Sequence, residues 1–195
     1  MTIQRTALPT TPLESAPIPG AMITTAAARA LAVLRVSAGF VFLWAFLDKT
    51  FGLHYSTSPG KAWIHGGSPT KGFLGHVGVG PLQSTFHSIA GTWWCNTIFM
   101  GGLLMIGVAL VSGVAVRIAT ASGVLLLGLM WLAVFPFAQS TNAGTATGST
   151  NPFMDDHLMY SIVLVVLAFT YAGSTWGLGR RWARVPFVTR HSWAL

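Results

Sequence analysis

No Asp, Glu, Lys or Arg occurs between Lys71 and Arg117, between Arg117 and Asp155, or between Asp156 and Arg180. A water-soluble domain cannot leave such stretches uncharged, since about a quarter of its residues normally carry charge. Here the share is 8%, against 52% hydrophobic residues. A helix needs about 20 apolar residues to cross the hydrocarbon layer, and residues 97–116, 118–138 and 157–176 each supply them. A fourth span, 26–47, carries Arg29 at its edge and Arg35 inside. It is admitted because Arg35 lies near one end, where a long side chain can snorkel to the interface. The four segments lack period-two alternation and are about twice as long as a tilted barrel strand. The expected fold is therefore all-α, an integral membrane four-helix bundle in contact with the lipid bilayer.

The rest of the chain divides around these spans. Residues 1–24 are polar and proline-rich (Pro9, Pro12, Pro17, Pro19) and are expected to form a disordered tail. Residues 25–178 form the membrane domain, and 179–195 a basic tail. Arg29, Arg117, Arg180, Arg181 and Arg184 fall in three places that share one side of a four-span protein. By the positive-inside rule that side is the cytoplasm, so both termini are expected inside. The loop between the first two spans, about residues 48–96, is then outside and too long to be a mere connector. Within it, 81–90 is amphipathic and is expected as a short interfacial helix. Ala109 with Gly113, and Ala119 with Gly123, offer small-residue faces for an antiparallel second and third span.

Composition also removes several functions. The 11 basic residues are too scattered to mark a nucleic-acid surface, despite a net charge of +7. Cys95 is the single cysteine, which excludes a disulfide framework, a Cys-ligated zinc or iron–sulfur site and a self-contained dithiol relay. His54, His65, His76 and His87 lie in the long loop and His191 in the tail, so no span carries the pair a membrane haem would need. No haem, metal or iron–sulfur cluster is expected. The uncharged second and third spans leave no evident ion path, which weighs against a channel.

The acids are the most informative residues. Of four, Asp48 closes the first span while Asp155 and Asp156 open the fourth, so all three are expected at the same outer depth. Lys49 and His157 accompany them. A Lys49 pair with Asp155 or Asp156, and Asp48 reaching His157, is available if the two helices are neighbours. One reading is structural: Asp155 and Asp156 cap the fourth helix and Lys49 balances them. The other is functional. A quinone takes up two protons with its two electrons and needs a titratable partner within hydrogen-bond reach. Asp48, Asp156 and His157 would then handle protons, beside a cleft walled by Trp44, Phe46, Trp131 and Tyr160. Lys49 and Lys71 would attract an anionic substrate. The segment Gly66-Gly67-Ser68-Pro69-Thr70-Lys71-Gly72 could present backbone amides to a small oxyanion, although such stretches are also ordinary turns.

Several runs together resemble the DoxX family. Phe42-Leu43-Trp44-Ala45-Phe46-Leu47-Asp48-Lys49 resembles the end of its first helix, and Ala62-Trp63-Ile64 leading into Gly66–Leu74 its outer loop. Asn151-Pro152-Phe153-Met154-Asp155-Asp156-His157 is similar to the start of its fourth helix, and Trp176-Gly177-Leu178-Gly179 to its exit from the membrane. The resemblance spans about residues 28–193. It implies a small four-helix protein of the bacterial cell membrane, related to the DoxD-like large subunit of thiosulfate:quinone oxidoreductase. On that footing the chain passes electrons from an outer donor, thiosulfate or a thiol, to the quinone pool. The alternative is a non-catalytic accessory subunit of a larger respiratory-type complex, or a homo-oligomer. The Thr/Gly-rich insert at 140–150 departs from the family pattern and could contact another subunit.

Overall fold

The computed structural model describes residues 24–195, so the tail expected at 1–24 lies outside the described residues except for Thr24. The described residues contain no strand, only an isolated bridge between Ser140 and Ala146. Eight α-helices follow one another: α1 (Thr25–Phe51), α2 (Lys71–Leu74), α3 (Gln83–Ile89), α4 (Trp93–Ser112), α5 (Val116–Val134), α6 (Asp156–Phe169), α7 (Gly179–Trp182) and α8 (Pro186–Arg190). Short 3₁₀ turns punctuate the loops.

Three of these helices, α1, α4 and α5, are long and apolar enough to cross a membrane. At 1.5 Å per residue their rises are about 40, 30 and 28 Å. Their outward faces carry Phe40, Ile98, Met105 and Leu125, all exposed and suited to lipid tails. The chain is accordingly a multi-pass membrane protein.

Helices α1 and α4 run antiparallel and touch backbone to backbone. A Cβ added to Gly107 would sit 2.8 Å from Leu43 N, and one on Gly39 would sit 2.9 Å from Leu110 Cβ. Close approach of this kind replaces the hydrophobic drive that lipid cannot supply. Helix α5 turns back after Gly113, whose left-handed φ of 75° caps α4. Helix α6 lies along α5, where the Thr120 hydroxyl donates to Leu164 O at 3.0 Å. Gly123 serves this α5–α6 contact first: its added Cβ would meet Leu164 Cδ1 at 2.5 Å and Ile106 of α4 only at 3.7 Å. Gly113, expected on a packing face of α4, is instead its cap. Phe42, Met100, Leu103, Ile106, Leu127 and Leu164 meet in the central core. The amphipathic segment at 81–90 folds as α3, with Phe86 buried against Val77 and Ala133.

Two sequence expectations are revised here. Arg35 does not snorkel. It is fully buried, and its guanidinium donates to the carbonyls of Leu110, Val111 (2.8 Å), Thr175 (3.4 Å) and Trp176 (3.0 Å). Leu110 and Val111 end α4, where unpaired carbonyls and the helix dipole favour a cation. The second revision concerns 157–176, which is not one continuous helix. α6 stops at Phe169 after 14 residues, about 21 Å, and Tyr171 enters the left-handed region at φ 50°. The chain then closes on α4, since a Cβ on Gly173 would lie 2.5 Å from Gly113 O. Leaving the helical path is what brings the Thr175 and Trp176 carbonyls onto Arg35.

Replacing Arg35 with Leu leaves four carbonyls without their donor, at about 1–3 kcal/mol for each buried group left unpaired. The Arg35→Leu protein in nanodiscs is expected to melt at least about 5 °C below the parent. An unchanged midpoint contradicts the clamp.

Candidate functional site

The antiparallel order brings the C-terminal ends of α1 and α5 to the same end of the molecule as the N-terminal ends of α4 and α6. All three acids of the described residues, Asp48, Asp155 and Asp156, stand there. Asp48 and Asp155 anchor two separate hydrogen-bonded groups, not one cluster, and Asp156 is exposed beside the second.

The first group is built around Asp48, which is 1% exposed. After Gly52 the chain folds back over the end of α1, and the Asp48 carboxylate receives it. Tyr55 N (3.2 Å), Ser56 N (3.0 Å) and Ser56 Oγ (2.6 Å) all donate to it. Lys49 Nζ donates to the same Ser56 Oγ at 3.3 Å. The Trp44 ring packs edge-on against Tyr55, with centroids 5.0 Å apart. Asp48 therefore organises a turn, and its bonds go to residues seven and eight positions ahead rather than to His157.

The second group opens α6. Asp155 is the N-cap: its Oδ1 accepts from Leu158 N at 3.0 Å. Its Oδ2 lies 2.8 Å from His157 Nδ1, each side chain being about 20% exposed. A carboxylate oxygen can only accept, so Nδ1 carries the proton and Nε2 is left without a partner among the described residues. Among the described residues no Lys or Arg pairs with a carboxylate, so neither Lys49–Asp155 nor Lys49–Asp156 forms. Upstream, Asn151 Oδ1 accepts from Phe153 N and Met154 N, both at 2.9 Å, which sets the chain's approach to the cap.

These residues line a cavity of about 490 Å³ between the end of α5, the 147–151 loop and the first turn of α6. Asp155, Asp156 and His157 form its polar side together with Thr147, Ser149, Thr150 and Asn151; Val134, Pro136, Met154 and Met159 form its apolar side. The loop is tied to the end of α5 by Thr147 Oγ1 donating to Ala138 O and Ser149 Oγ donating to Pro136 O, both 2.7 Å. A cavity with one apolar wall and a few convergent polar groups has the make-up of a small-molecule site.

The four aromatics expected to share a cleft are dispersed. Trp44 sits with Phe40 and Tyr55, and Phe46 packs against the central core. Trp131 donates to Phe153 O at 3.0 Å and stacks edge-on with Phe137 and Phe153. Tyr160 is on the exposed side of α6, whose buried face runs through Ser161, Leu164 and Leu167. None of the four lines the cavity. The glycine-rich loop is likewise committed internally. Gly66 N bonds Trp63 O and Gly67 N bonds Ala62 O, both at 3.0 Å. Asn96 Oδ1 accepts from Ser68 Oγ (3.2 Å), Thr70 N (3.1 Å) and Thr70 Oγ1 (2.7 Å). Lys71, exposed at the start of α2, remains as surface charge.

Asp155 as His157's partner, and the hydroxyls of 147–150, were missed from sequence. The first had a signal: in Asp-x-His at a helix start the N-cap side chain can reach the N2 residue. Among the described residues no three His, Cys, Asp or Glu side chains converge as a metal site would require.

The Asp48 turn is testable by amide exchange. In Asp48→Ala the Tyr55 and Ser56 amides lose a charged acceptor worth about 1.5–3 kcal/mol, so both should exchange at least about tenfold faster. Exchange at the parent rate contradicts this role.

No protein-family model, curated protein or solved structure matches the chain.

Proposed function

We propose that the chain is a quinone-linked redox protein of the bacterial cell membrane, the reading its resemblance to the DoxX family also implies. In this proposal both termini are cytoplasmic, and α6 with the residues up to Trp176 completes a fourth crossing. The carboxylate end then faces outward, where lysines rather than arginines stand: Lys49, Lys61 and Lys71. The observation that carries the reading is the His157–Asp155 pair, 2.8 Å apart, on the wall of a cavity at the ends of apolar helices.

A quinone supplies the two-electron acceptor, and its reduction consumes two protons. Oxidising two thiosulfates to a sulfur–sulfur bonded product releases two electrons and no proton. Both protons must therefore come through the protein or from water. His157 is suited to deliver them at Nε2, because Asp155 fixes the ring through Nδ1. Asp156, exposed beside it, relays protons from solvent. The Val134, Met154 and Met159 side chains hold the apolar part of the ligand against the cavity wall. Asp48 and Lys49 contribute by fixing the 52–58 turn, and Lys71 adds to the positive field that draws an anionic donor.

A second reading has its own observation. Phe137 and Phe153, at the base of the outer loop, are 51% and 52% exposed, a sticky surface of the kind that partner subunits cover. A non-catalytic accessory subunit of a respiratory-type complex, or a homo-oligomer, would use it.

Purified protein in nanodiscs, given thiosulfate or a dithiol and a soluble quinone analogue, separates the two. The redox reading expects quinone reduction that falls by about 10²-fold in both His157→Gln and Asp155→Asn. Equal turnover in parent and variants removes the proposed site. No reduction by the parent with either donor, together with stable co-purification of other membrane subunits, transfers the case to the accessory reading.

A further inference from the structure

The opposite end of the bundle holds a larger cavity, about 690 Å³, under the α7–α8 segment. Three arginines line it: Arg117 at the start of α5, and Arg180 and Arg184 from the α7 region. No Asp or Glu side chain of the described residues is near, because Asp48, Asp155 and Asp156 all stand at the other end, and Leu195 O, in the lining, accepts from Arg117 N at 2.8 Å. Arg117 is held in position. Its Nη1 donates to Ser192 O and its Nη2 to Tyr171 Oη, both at 2.8 Å, and its guanidinium carbon lies 4.9 Å from the Tyr171 ring centre. Its remaining N–H groups stay free to donate. Arg180 and Arg184 are exposed, and neither guanidinium has a hydrogen-bond partner among the described residues. The Ser174 hydroxyl adds a donor, while Val116 and Val188 give an apolar floor.

We propose that this cavity binds the phosphate group of an anionic phospholipid. Three guanidiniums without an Asp or Glu side chain beside them leave a concave positive field, and arginine's planar fork matches phosphate oxygens. The position argues for a membrane source. The cavity lies where α4 ends and α5 begins, at the limit of two helices apolar enough to cross a membrane. Neighbouring Phe169, Trp176, Phe187 and Trp193 are each more than half exposed, as acyl chains and the interfacial zone would require. A headgroup seated here would bridge α5 to the α7–α8 segment and fasten that segment to the bundle. This site does not depend on the redox reading, and its test reads lipid retention rather than turnover.

The experiment is native mass spectrometry of the full chain, released from nanodiscs that contain phosphatidylglycerol or phosphatidylcholine of the same acyl composition. Retained phosphatidylglycerol is expected on the parent, with phosphatidylcholine lost. The double variant Arg180→Gln/Arg184→Gln should weaken retention by about thirtyfold, from roughly a factor of five per arginine near an anionic headgroup. Lys61→Gln/Lys71→Gln, which removes the same charge from the other end, should leave retention unchanged. Three results overturn the proposal: equal retention of the two lipids, equal loss in the arginine and lysine variants, or displacement of the lipid by millimolar inorganic phosphate. The last reassigns the cavity to a soluble phosphate.

Discussion

A buried cation without a carboxylate holds this molecule together. Arg35 lies in the middle of an apolar surface, and the groups that satisfy it are backbone carbonyls: two that end α4 and two from the segment after α6. In hydrocarbon such a charge is tolerated only where it is buried in protein and solvated by dipoles. The terminal carbonyls of α4 are free by the geometry of a helix end, so a cation there answers an existing need. Much follows from that requirement. Gly113 must be small, because its φ is left-handed and a Cβ would lie 2.9 Å from Gly173 O and 3.1 Å from Arg35 Nη1. α6 must stop short, because Thr175 and Trp176 have to turn their carbonyls inward. The same turn throws α7 and α8 across the end of the bundle, and the arginine-lined cavity is what lies beneath them.

The two ends of the bundle are consequently unlike in chemistry. One holds every described acid together with the lysines, Asp48 bonded to two amides and a hydroxyl and Asp155 to an amide and a histidine. The other holds arginines without acids. Lysine is a compact, strongly hydrated charge, whereas the guanidinium is weakly hydrated and forked. An end that meets an aqueous donor and an end that meets lipid phosphate would be expected to differ in this way. Both cavities also sit where loops cross helix ends, so in each the scaffold is rigid and the lining is adaptable.

Charge patterning alone exposed α4 and α5, since absence of charge over some 20 residues is a local signal, whereas α1 carries Arg29 and Arg35 and was admitted only on where Arg35 lies. The end of α6 was not legible for the opposite reason. Residues 157–176 carry no Asp, Glu, Lys or Arg, so the absence of charge runs on past Phe169 and does not mark the Thr/Gly/Ser-rich stretch where the helix stops. Asp48 shows a related limit. Its position at a span end was clear, but the same carboxylate can pair with a distant helix or with its own following turn, and local amides won because they are tethered nearby. The capping role of Asp155 was readable from Asn151-Pro152 and the adjacent acids. Its second bond, to His157, required knowing that one oxygen was left over. The aromatic residues were the least legible, because spacing says which residues share a helix face but not which neighbouring helix that face meets.

Placement of the quinone is the claim on which the functional account turns. A photoreactive benzoquinone analogue, activated with the protein in nanodiscs and mapped by peptide mass spectrometry, addresses it directly. The account predicts covalent label within residues 134–159, on the wall that His157 and Met154 share, and its loss when excess unlabelled quinone is present. Label confined to α7 and α8, or spread along the lipid-facing surfaces of α1 and α4 without competition, would contradict it.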